Sequence, residues 1–416
     1  MALDVVVVGA GLAGLACAKQ LRTAGVTALV VETSDQVGGR VRSDTVDGFV
    51  LDRGFQVLLT SYPEAARMLD LADLFLGELY PGALVRYHGE FHRVADPFRR
   101  PLDGVRSLRA PFVHVRDLRA FARLRARACA GTLESMLSRR EQSALDALHS
   151  AGISADMIEH CLRPFFAGAL LDPNLDTTSR MLDFAVRFFA SGYATLPSGG
   201  MGAIPAQLAA SLPDGSIQLT TRVDHVTAGS VTLASGERIE ARAVVVATDG
   251  RAAARLLPEV RAPAFRSATC VYFAALEPPL DDAILVLDGD GAGPVSSFCV
   301  PSTIASGYAP DGQALVSASV LGHEDTDDDS LLAAVRSQLR DWFGSATDEW
   351  RHLRTYRIQD ARPALTPPAL DPADRRVRLA EDMYVCGDHR ETASIQGALA
   401  SGRRAAQAIM HELARR

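Results

Sequence analysis

The stretch DVVVVGAGLAGLACAKQL, residues 4–21, decides how the chain begins to fold. Its four consecutive valines, Val5–Val8, are typical of a central parallel strand, because β-branched side chains fill both faces of a strand that is buried on both sides. A glycine-rich turn and a helix-like stretch follow, and a second strand over residues 27–31 ends at Glu32. This order predicts a strand–turn–helix–strand unit of an α/β fold.

The glycines of this turn have the spacing of a loop that binds a dinucleotide. Gly9 permits the tight turn, Gly11 lets the backbone approach a pyrophosphate, and Gly14 lets the helix pack on the strand. The N–H groups and the dipole of the helix then face the anion. Glu32 is placed to accept hydrogen bonds from a ribose diol. We therefore predict cofactor contacts at Gly9, Gly11, Leu12, Ala13, Gly14 and Glu32.

A second glycine pair, Gly38 and Gly39, precedes Arg40. Nicotinamide enzymes do not need this pair, whereas many flavoproteins use it beside an arginine that meets the pyrophosphate. On these motifs the sequence resembles the flavin amine oxidase and phytoene desaturase superfamily, nearest the carotene-desaturase branch. The resemblance implies cofactor contacts at Gly38, Gly39 and Arg40. It also implies non-covalent FAD, since Cys386 does not match the superfamily's usual covalent attachment segment.

Two internal segments extend the resemblance. Residues 48–63 are similar to a stretch that runs close to the flavin ring, which implies that Gly54, Phe55 and Gln56 are its neighbours; the alternative for Gln56 is a turn residue packed on the first helix. Residues 223–248 indicate a hairpin that leads into a buried strand. In the superfamily the backbone at the position of Val223 meets the adenine.

The C-terminal segment carries a further match. A strand ends at Gly387-Asp388, and a helix opens after Ser394. The resemblance implies that Asp388 reaches the ribityl–phosphate part of FAD and that the helix N-terminus, through Ile395, points at the flavin pyrimidine. A positive helix end there stabilises the negative charge of a reduced flavin. The implied contacts in this segment are Gly387, Asp388, Ile395, Gln396 and Ala398.

The implied fold class is α/β, with two domains that are each discontinuous. A Rossmann-type FAD-binding domain, a parallel sheet with helices, would comprise residues 1–71, 196–261 and 376–416. An α+β substrate domain would comprise residues 72–195, helical and rich in arginine, and residues 262–375, whose strand-like runs predict an antiparallel sheet.

Missing motifs narrow the reaction class. There is no second strand–Gly-x-Gly–helix unit and no C-x-x-C pair, so we expect electrons to enter from the substrate and leave to oxygen or a quinone. Amine oxidases of the superfamily place an aromatic residue where this chain has Ser394, and they commonly use a lysine near flavin N5. The single lysine here, Lys19, lies in the first helix. These departures disfavour an amine substrate.

The resulting prediction is an FAD-dependent oxidoreductase of the desaturase or oxidase type. It would abstract hydride from a C–H bond of a largely apolar substrate, carotenoid or isoprenoid in type, to flavin N5. Gln56, His389 and Arg390 are candidates for facing the ring; the latter two would otherwise hold the loop. The alternatives are an oxidase of amines or porphyrinogens, a non-redox carotenoid isomerase that keeps FAD, and a prenyl-binding escort protein without flavin.

Charge and composition bear on partners and location. The net charge of −7 argues against nucleic acid, although residues 99–127 hold nine arginines against two aspartates. That segment suits either peripheral contact with anionic lipid or a solvated helix paired with the acidic remainder. Prolines and glycines interrupt the uncharged stretches 188–213 and 291–310, which predicts a cytoplasmic protein, peripheral at most to the inner face of the membrane. We predict no metal, since the acidic run at 325–329 lacks the ligand spacing of a calcium loop.

Overall fold

The computed structural model describes residues 3–322, 325–370 and 375–415. The strands are β1 (Val5–Val8), β2 (Ala28–Val31), β3 (Ser43–Val46), β4 (Phe49–Asp52), β5 (Leu58–Leu59), β6 (Leu76–Glu78), β7 (Gly82–Tyr87), β8 (Glu90–Ala95), β9 (Ala194–Pro197), β10 (Ile217–Gln218), β11 (Val223–Thr227), β12 (Ser230–Leu233), β13 (Arg238–Glu240), β14 (Ala243–Val246), β15 (Phe265–Ala275), β16 (Leu285–Asp288), β17 (Val295–Cys299), β18 (Ala314–Val320), β19 (Arg351–Pro363), β20 (Arg378–Ala380) and β21 (Met383–Val385).

The helices are α1 (Leu12–Thr23), α2 (Pro63–Met68), α3 (Pro101–Arg106), α4 (Val115–Cys129), α5 (Leu133–Leu137), α6 (Ala144–Ser150), α7 (Ala155–Met157), α8 (Arg163–Leu170), α9 (Ser179–Ser191), α10 (Ala203–Ala210), α11 (Gly250–Leu256), α12 (Pro301–Ile304), α13 (Asp328–Phe343) and α14 (Ile395–Leu413). A π-helical turn spans Ile158–Leu162, and short 3₁₀ turns span Ser107–Arg109, Ser306–Tyr308, Ser345–Glu349 and Asp388–Arg390.

A mainly parallel sheet holds the N-terminal strand at its centre. In the described part of the chain its order is β10-β2-β1-β14-β21-β20, and only β20 runs antiparallel to its neighbour. The valines of β1 are all buried: Val5 and Val7 pack into the core that contains α1 and α14, whereas Val6 and Val8 pack on the opposite side with β12 and α11. Burial on both faces explains the uninterrupted valine run.

Helix α1 lies unusually close to its neighbours because glycines remove the intervening side chains. A Cβ on Gly14 would stand 2.0 Å from the carbonyl oxygen of Gly9, and a Cβ on Gly402 of α14 would stand 2.1 Å from that of Ala13. Both distances are far shorter than atomic contact permits. The helix therefore begins directly at the carboxyl end of β1.

A second, largely antiparallel sheet is formed by later segments. Its order among the described residues is β19-β15-β18-β17-β16-β7-β8, and only the β16–β7 pair is parallel. One face packs with α13 around Phe273, Phe298 and Trp342. The opposite face forms a wall of the cavity described below. The fold is therefore α/β with a Rossmann-type sheet and an antiparallel sheet, as predicted, while the predicted domain boundaries stay a prediction.

The helices α3–α9 cover the open side of the antiparallel sheet. The two longest of them, α4 and α9, pack against each other, and Arg127 and Arg139 both bind the buried carboxylate of Asp183 on α9. Within the residues that the structure describes, none of the helices is both long enough and apolar enough to cross a membrane.

Asp52, at the end of β4, joins several segments through one buried carboxylate. Its side chain accepts hydrogen bonds from the hydroxyls of Ser43 and Tyr308 and from the backbone N–H of Met201, at 2.5, 2.6 and 2.8 Å. The hydroxyl of Tyr272, on β15, donates to its backbone carbonyl at 2.9 Å. Burial outweighs these donors and raises the pKa of Asp52 from 3.8 to about 6.

The raised pKa predicts a pH-dependent loss of stability. Between pH 3.8 and about 6 the folded state holds the Asp52 proton more tightly than the unfolded state, so the free energy of unfolding falls as pH rises through this window, by up to about 3 kcal/mol. Asp52→Asn should remove this fall. Denaturant unfolding of both proteins at closely spaced pH values measures it.

Asp44→Asn is the control, because the pKa of Asp44 shifts in the opposite direction. Burial raises it, but the hydrogen bonds from Arg53 and Tyr356 prevail and lower it. Its contribution to stability should therefore be lost as the pH falls, not as it rises. Parallel stability curves for the wild type and Asp52→Asn would contradict the assignment of the shift to this carboxylate.

Candidate active site

One continuous cavity of about 840 Å³ extends from the parallel sheet to the antiparallel sheet. At one end it is lined by the residues that follow the carboxyl ends of β1, β2, β14 and β21, the edge at which open α/β sheets bind ligands. At the other end it is lined by the antiparallel sheet and by helices α4, α8 and α9. The two ends thus offer different surfaces to a ligand.

The turn after β1 has the geometry of an anion cradle. Gly9 has a φ of +108°, which side-chain-bearing residues rarely adopt. Helix α1 begins at Leu12, and no side chain caps its N-terminus, so its first N–H groups remain available to a ligand. A Cβ on Gly11 would meet no atom within 4 Å, so the protein itself does not require a glycine there. These features fit a pyrophosphate that approaches the backbone at Gly11.

Glu32 is held at the end of β2. Its Oε2 accepts the backbone N–H of Ala10 at 2.7 Å, and its Oε1 accepts the N–H and the hydroxyl of Ser34. A carboxylate has about four acceptor sites, so this arrangement fixes its orientation and leaves capacity for a ribose hydroxyl. Thr221 also lines this part of the cavity, and its N–H donates to the carbonyl of Glu32.

Arg40 and Asp388 form an ion pair on the cavity wall. The Nη2 atom of Arg40 lies 2.6 Å from Oδ1 of Asp388, and its Nη1 donates to the carbonyl of Ala361 at 3.2 Å. Burial alone would raise the pKa of Asp388, but the charge and hydrogen bond of Arg40 lower it below its usual value. The pair stays ionised and offers both a cation and an acceptor to a bound phosphate and polyol.

The expected flavin neighbours lie together beyond this pair. Gly54, Phe55 and Gln56 line the cavity, as do Ile395 and Ala398 at the start of α14. The side-chain amide of Gln56 donates to the carbonyl of Arg40 at 2.9 Å, which fixes the loop against the cofactor-side wall. Together with the turn at β1, the cavity-lining residues among those predicted to contact FAD are Gly9, Gly11, Leu12, Ala13, Glu32, Gly38, Gly39, Arg40, Gly54, Phe55, Gln56, Gly387, Asp388, Ile395 and Ala398.

Three predicted cofactor residues lie outside the lining. Gly14 does not line the cavity; it faces the carbonyl of Gly9, and its lack of a side chain allows α1 to pack there. Val223 is buried in β11, whereas Thr221, two residues earlier, lines the cavity. The side chain of Gln396 accepts the backbone N–H of Glu64 at 2.9 Å. Direct cofactor contact by Gly14, Val223 and Gln396 remains a prediction.

His389 and Arg390, two candidates for facing the flavin, also lie outside the cavity lining. The ring of His389 packs against Gly387 and Gly250, and neither ring nitrogen has a hydrogen-bond partner. Burial lowers the pKa of His389 to about 4, so it is neutral at physiological pH. Arg390 donates to the carbonyl of Arg376 at 2.6 Å. These contacts fit the alternative role, as supports of the loop, and facing the flavin stays a prediction for both residues.

The far end of the cavity is mainly apolar. Phe165 on α8 packs edge-on against Phe189 of α9, with ring centroids 5.2 Å apart, and Leu162 and Phe184 continue this wall. Lys19 is remote: its Nζ donates to the carbonyl of Met68, outside this cavity.

Every acidic side chain that lines the described cavity already accepts hydrogen bonds. Asp96 accepts from Arg125, Asp117 from the N–H and hydroxyl of Ser154, and Asp249 from backbone N–H groups at the start of α11. Glu32 and Asp388 are held as described above. No cluster of His, Cys, Asp or Glu suited to a metal ion occurs among the described residues. The cavity therefore combines a polar cofactor end with an apolar end that has no spare carboxylate.

Comparison with known proteins places this geometry in a family. A family model described as flavin containing amine oxidoreductase matches residues 12–410. Hydroxysqualene dehydroxylase of Rhodopseudomonas palustris is 27% identical over 99% of both chains, and coproporphyrinogen III oxidase of Propionibacterium freudenreichii is 26% identical over 82% of this chain and 77% of that protein. Putrescine oxidase of Kocuria rosea is 50% identical over 70 residues, 17% of this chain and only 14% of that protein.

Solved structures share the whole architecture. A redesigned double mutant of putrescine oxidase superposes with a TM-score of 0.76 at 19% identity, covering 98% of this chain and 99% of that one. At this identity the likeness concerns the fold.

Two glycine substitutions should separate cofactor binding from stability. Gly11→Ala adds a methyl group in open space, so the melting temperature of the apoprotein should stay unchanged, while FAD affinity falls about tenfold or more because the backbone can no longer approach the pyrophosphate. Gly14→Ala drives a methyl group into the Gly9 carbonyl and should destabilise the apoprotein by about 1–3 kcal/mol. Thermal unfolding and fluorescence titration with FAD measure both; equal effects of the two changes would contradict the assigned roles.

Proposed function

The chain belongs to the flavin-containing amine oxidoreductase family and is an FAD-dependent oxidoreductase, and on that premise we propose that it oxidises a largely apolar, isoprenoid-type substrate. FAD, when bound, supplies the hydride acceptor at flavin N5. The substrate would lose a hydride from one carbon and a proton from its neighbour, forming a C=C bond. The two electrons would then pass to oxygen or a quinone.

The observation that carries this proposal is the chemistry of the cavity's far end. A protonated amine needs an unpaired carboxylate or an aromatic cage, because a charge that leaves water must be compensated. Each acid in the wall already accepts hydrogen bonds from the protein, and the resemblance described above puts Ser394 at the position where amine oxidases usually have an aromatic residue. The apolar wall suits a hydrocarbon chain instead. The full-length similarity to hydroxysqualene dehydroxylase supports the same substrate class.

The residues around the expected flavin position would orient and stabilise it. We assign Gly54, Phe55 and Gln56 to the ring face, and the N-terminus of α14 at Ile395 to the pyrimidine edge. Ser394 caps α14 by accepting the N–H of Gly397 at 3.0 Å. The remaining positive end of the helix would stabilise the charge that develops on reduction. The phenylalanines of α8 and α9 would exclude water from the reacting carbon.

An exposed apolar patch beside the cavity suggests how such a substrate arrives. The patch consists of Phe98, Leu102, Val105 and Leu108, which are 54%, 76%, 66% and 36% exposed. Its neighbours Pro97 and Arg99 line the cavity. Exposed arginines at 100, 106 and 109 lie beside the patch residues along the chain. Exposed apolar side chains interspersed with arginine fit the surface of an anionic membrane, so this segment would rest on the inner face of the membrane and admit an apolar substrate from it.

Anaerobic absorption spectroscopy tests the substrate class. We expect the flavin band at about 450 nm to bleach when an isoprenoid polyene in detergent is added to the holoenzyme, and to persist with putrescine or cyclohexylamine. Bleaching by the amines alone would reassign the protein to amine oxidation. Bleaching only by a porphyrinogen would instead favour an activity like that of coproporphyrinogen III oxidase, the relative that matches 82% of this chain.

Vesicle sedimentation tests the membrane contact. Leu102→Asp combined with Val105→Asp should abolish binding to vesicles that contain phosphatidylglycerol, because two charges would replace the most exposed apolar side chains of the patch. Leu276→Asp is the matched control, since Leu276 is 72% exposed and directly follows strand β15 of the antiparallel sheet, outside the patch. Binding should weaken with added salt and disappear with phosphatidylcholine alone. Equal binding of both variants would overturn this contact.

A further inference from the structure

Three small polar side chains form a row across the apolar end of the cavity. Cys270 on β15 pairs directly with Ser319 on β18, and Ser319 pairs directly with Ser297 on β17. Residues that lie directly opposite each other on neighbouring strands project from the same face of a sheet. All three residues line the cavity. They therefore form a polar row across three strands, and Thr269 and Ser296 line the cavity beside it.

Beyond β17 and on the helical side, the wall around this row is apolar. On the next strand, Leu287 of β16 pairs with Ser297 and also lines the cavity. The position next to Ser297 therefore has an apolar side chain. The opposite wall is made by Leu162, Phe165 and Phe166. A pure hydrocarbon ligand would need no hydroxyl groups in this position, and burying a hydroxyl against hydrocarbon without a partner is unfavourable.

The two serines differ from their neighbours in hydrogen bonding. Within the described residues, neither the hydroxyl of Ser297 nor that of Ser319 has a protein partner, whereas Ser296 donates to the carbonyl of Ser319 at 3.1 Å. The thiol of Cys270 contacts the hydroxyl of Ser317 at 3.3 Å, and Ser317 does not line the cavity. Ser297 is buried and Ser319 is partly exposed to the cavity, so both hydroxyls are open to a polar group of a ligand.

The row starts beside the place assigned to the flavin. The backbone of Phe55 approaches the thiol of Cys270. Neighbouring strands are about 4.8 Å apart, so Ser319 and Ser297 lie roughly 5 and 10 Å further along the wall. A group held by these serines would therefore be a few bonds away from a carbon that reacts at the flavin.

We propose that Ser319 and Ser297 form a binding site for a hydroxyl group on the isoprenoid substrate. A serine hydroxyl both donates and accepts, and two of them complement an alcohol, which does the same. This inference rests on the proposed function and makes it more specific: the preferred substrate is an isoprenoid alcohol, held so that the bond to be oxidised is close to the alcohol carbon. A site of this kind discriminates against the analogue that lacks the oxygen, because its own hydroxyls are then left unpaired.

The test compares two probes that differ by one oxygen, hydroxysqualene and squalene. Their dissociation constants are measured on the holoenzyme by the change in flavin absorbance, and their rates by anaerobic bleaching. The wild type should bind hydroxysqualene about tenfold more tightly or better. Ser319→Ala and Ser297→Ala should each reduce that preference severalfold while leaving the affinity for squalene unchanged. Ser319→Thr, which keeps a hydroxyl, should retain the preference.

Ser317→Ala is the matched control. Ser317 lies on the same strand and the same face as Ser319, two residues away, but it is fully buried and does not line the cavity. Ser317→Ala should change the affinities for both probes by the same factor, or leave both unchanged. Melting temperatures report whether each variant folds. Equal affinity of the wild type for both probes, or an unchanged preference in the serine variants, would overturn the hydroxyl site and leave the proposed function standing. Failure of both probes to bind would overturn the proposed function and this inference together.

Discussion

The site depends on how closely helix α1 approaches the backbone around it. Gly14 lies against the carbonyl of Gly9, and Gly402 of α14 lies against that of Ala13, at distances that no side chain tolerates. This contact places the uncapped start of α1 at the end of β1, beside Glu32 and the Arg40–Asp388 pair. If α1 were displaced by the width of one methyl group, the anion cradle and the α14 terminus would no longer face the same cavity.

The sequence carries strong signals for the cofactor side because its determinants are local. A run of valines, three glycines and an acid specify a strand, a turn and a helix within about thirty residues, and most of the residues identified there line the cavity. The sequence carries less information where the direction of a single side chain decides whether it faces the cavity. In the 3₁₀ turn Asp388–Arg390, Asp388 faces the cavity and His389 faces the core. Nothing in a short polar stretch predicts which of two adjacent side chains turns inward.

The substrate side could not be predicted in the same way, because its determinants are pairings between distant segments. Cys270, Ser297 and Ser319 form a row only through the register of three strands, and a shift of one residue would turn each side chain to the opposite face. The apolar patch at 98–108 shows the same limit. Its apolar residues resemble core positions in the sequence, and only the packing of α3 shows that they face outward.

The central sheet also affects how the protein is made. Strand β1 pairs with β14, β14 pairs with β21, and α1 packs on α14, so contacts at the core of the fold join residues almost four hundred positions apart. Non-local contacts of this kind form slowly, because the intervening chain must first be brought together. The strand β1 and helix α1 can complete these contacts only after β14, β21 and α14 have been synthesised. Because Gly387 and Asp388 belong to the same cavity edge, we expect that edge to be ready for FAD only once these late segments have folded onto the early ones.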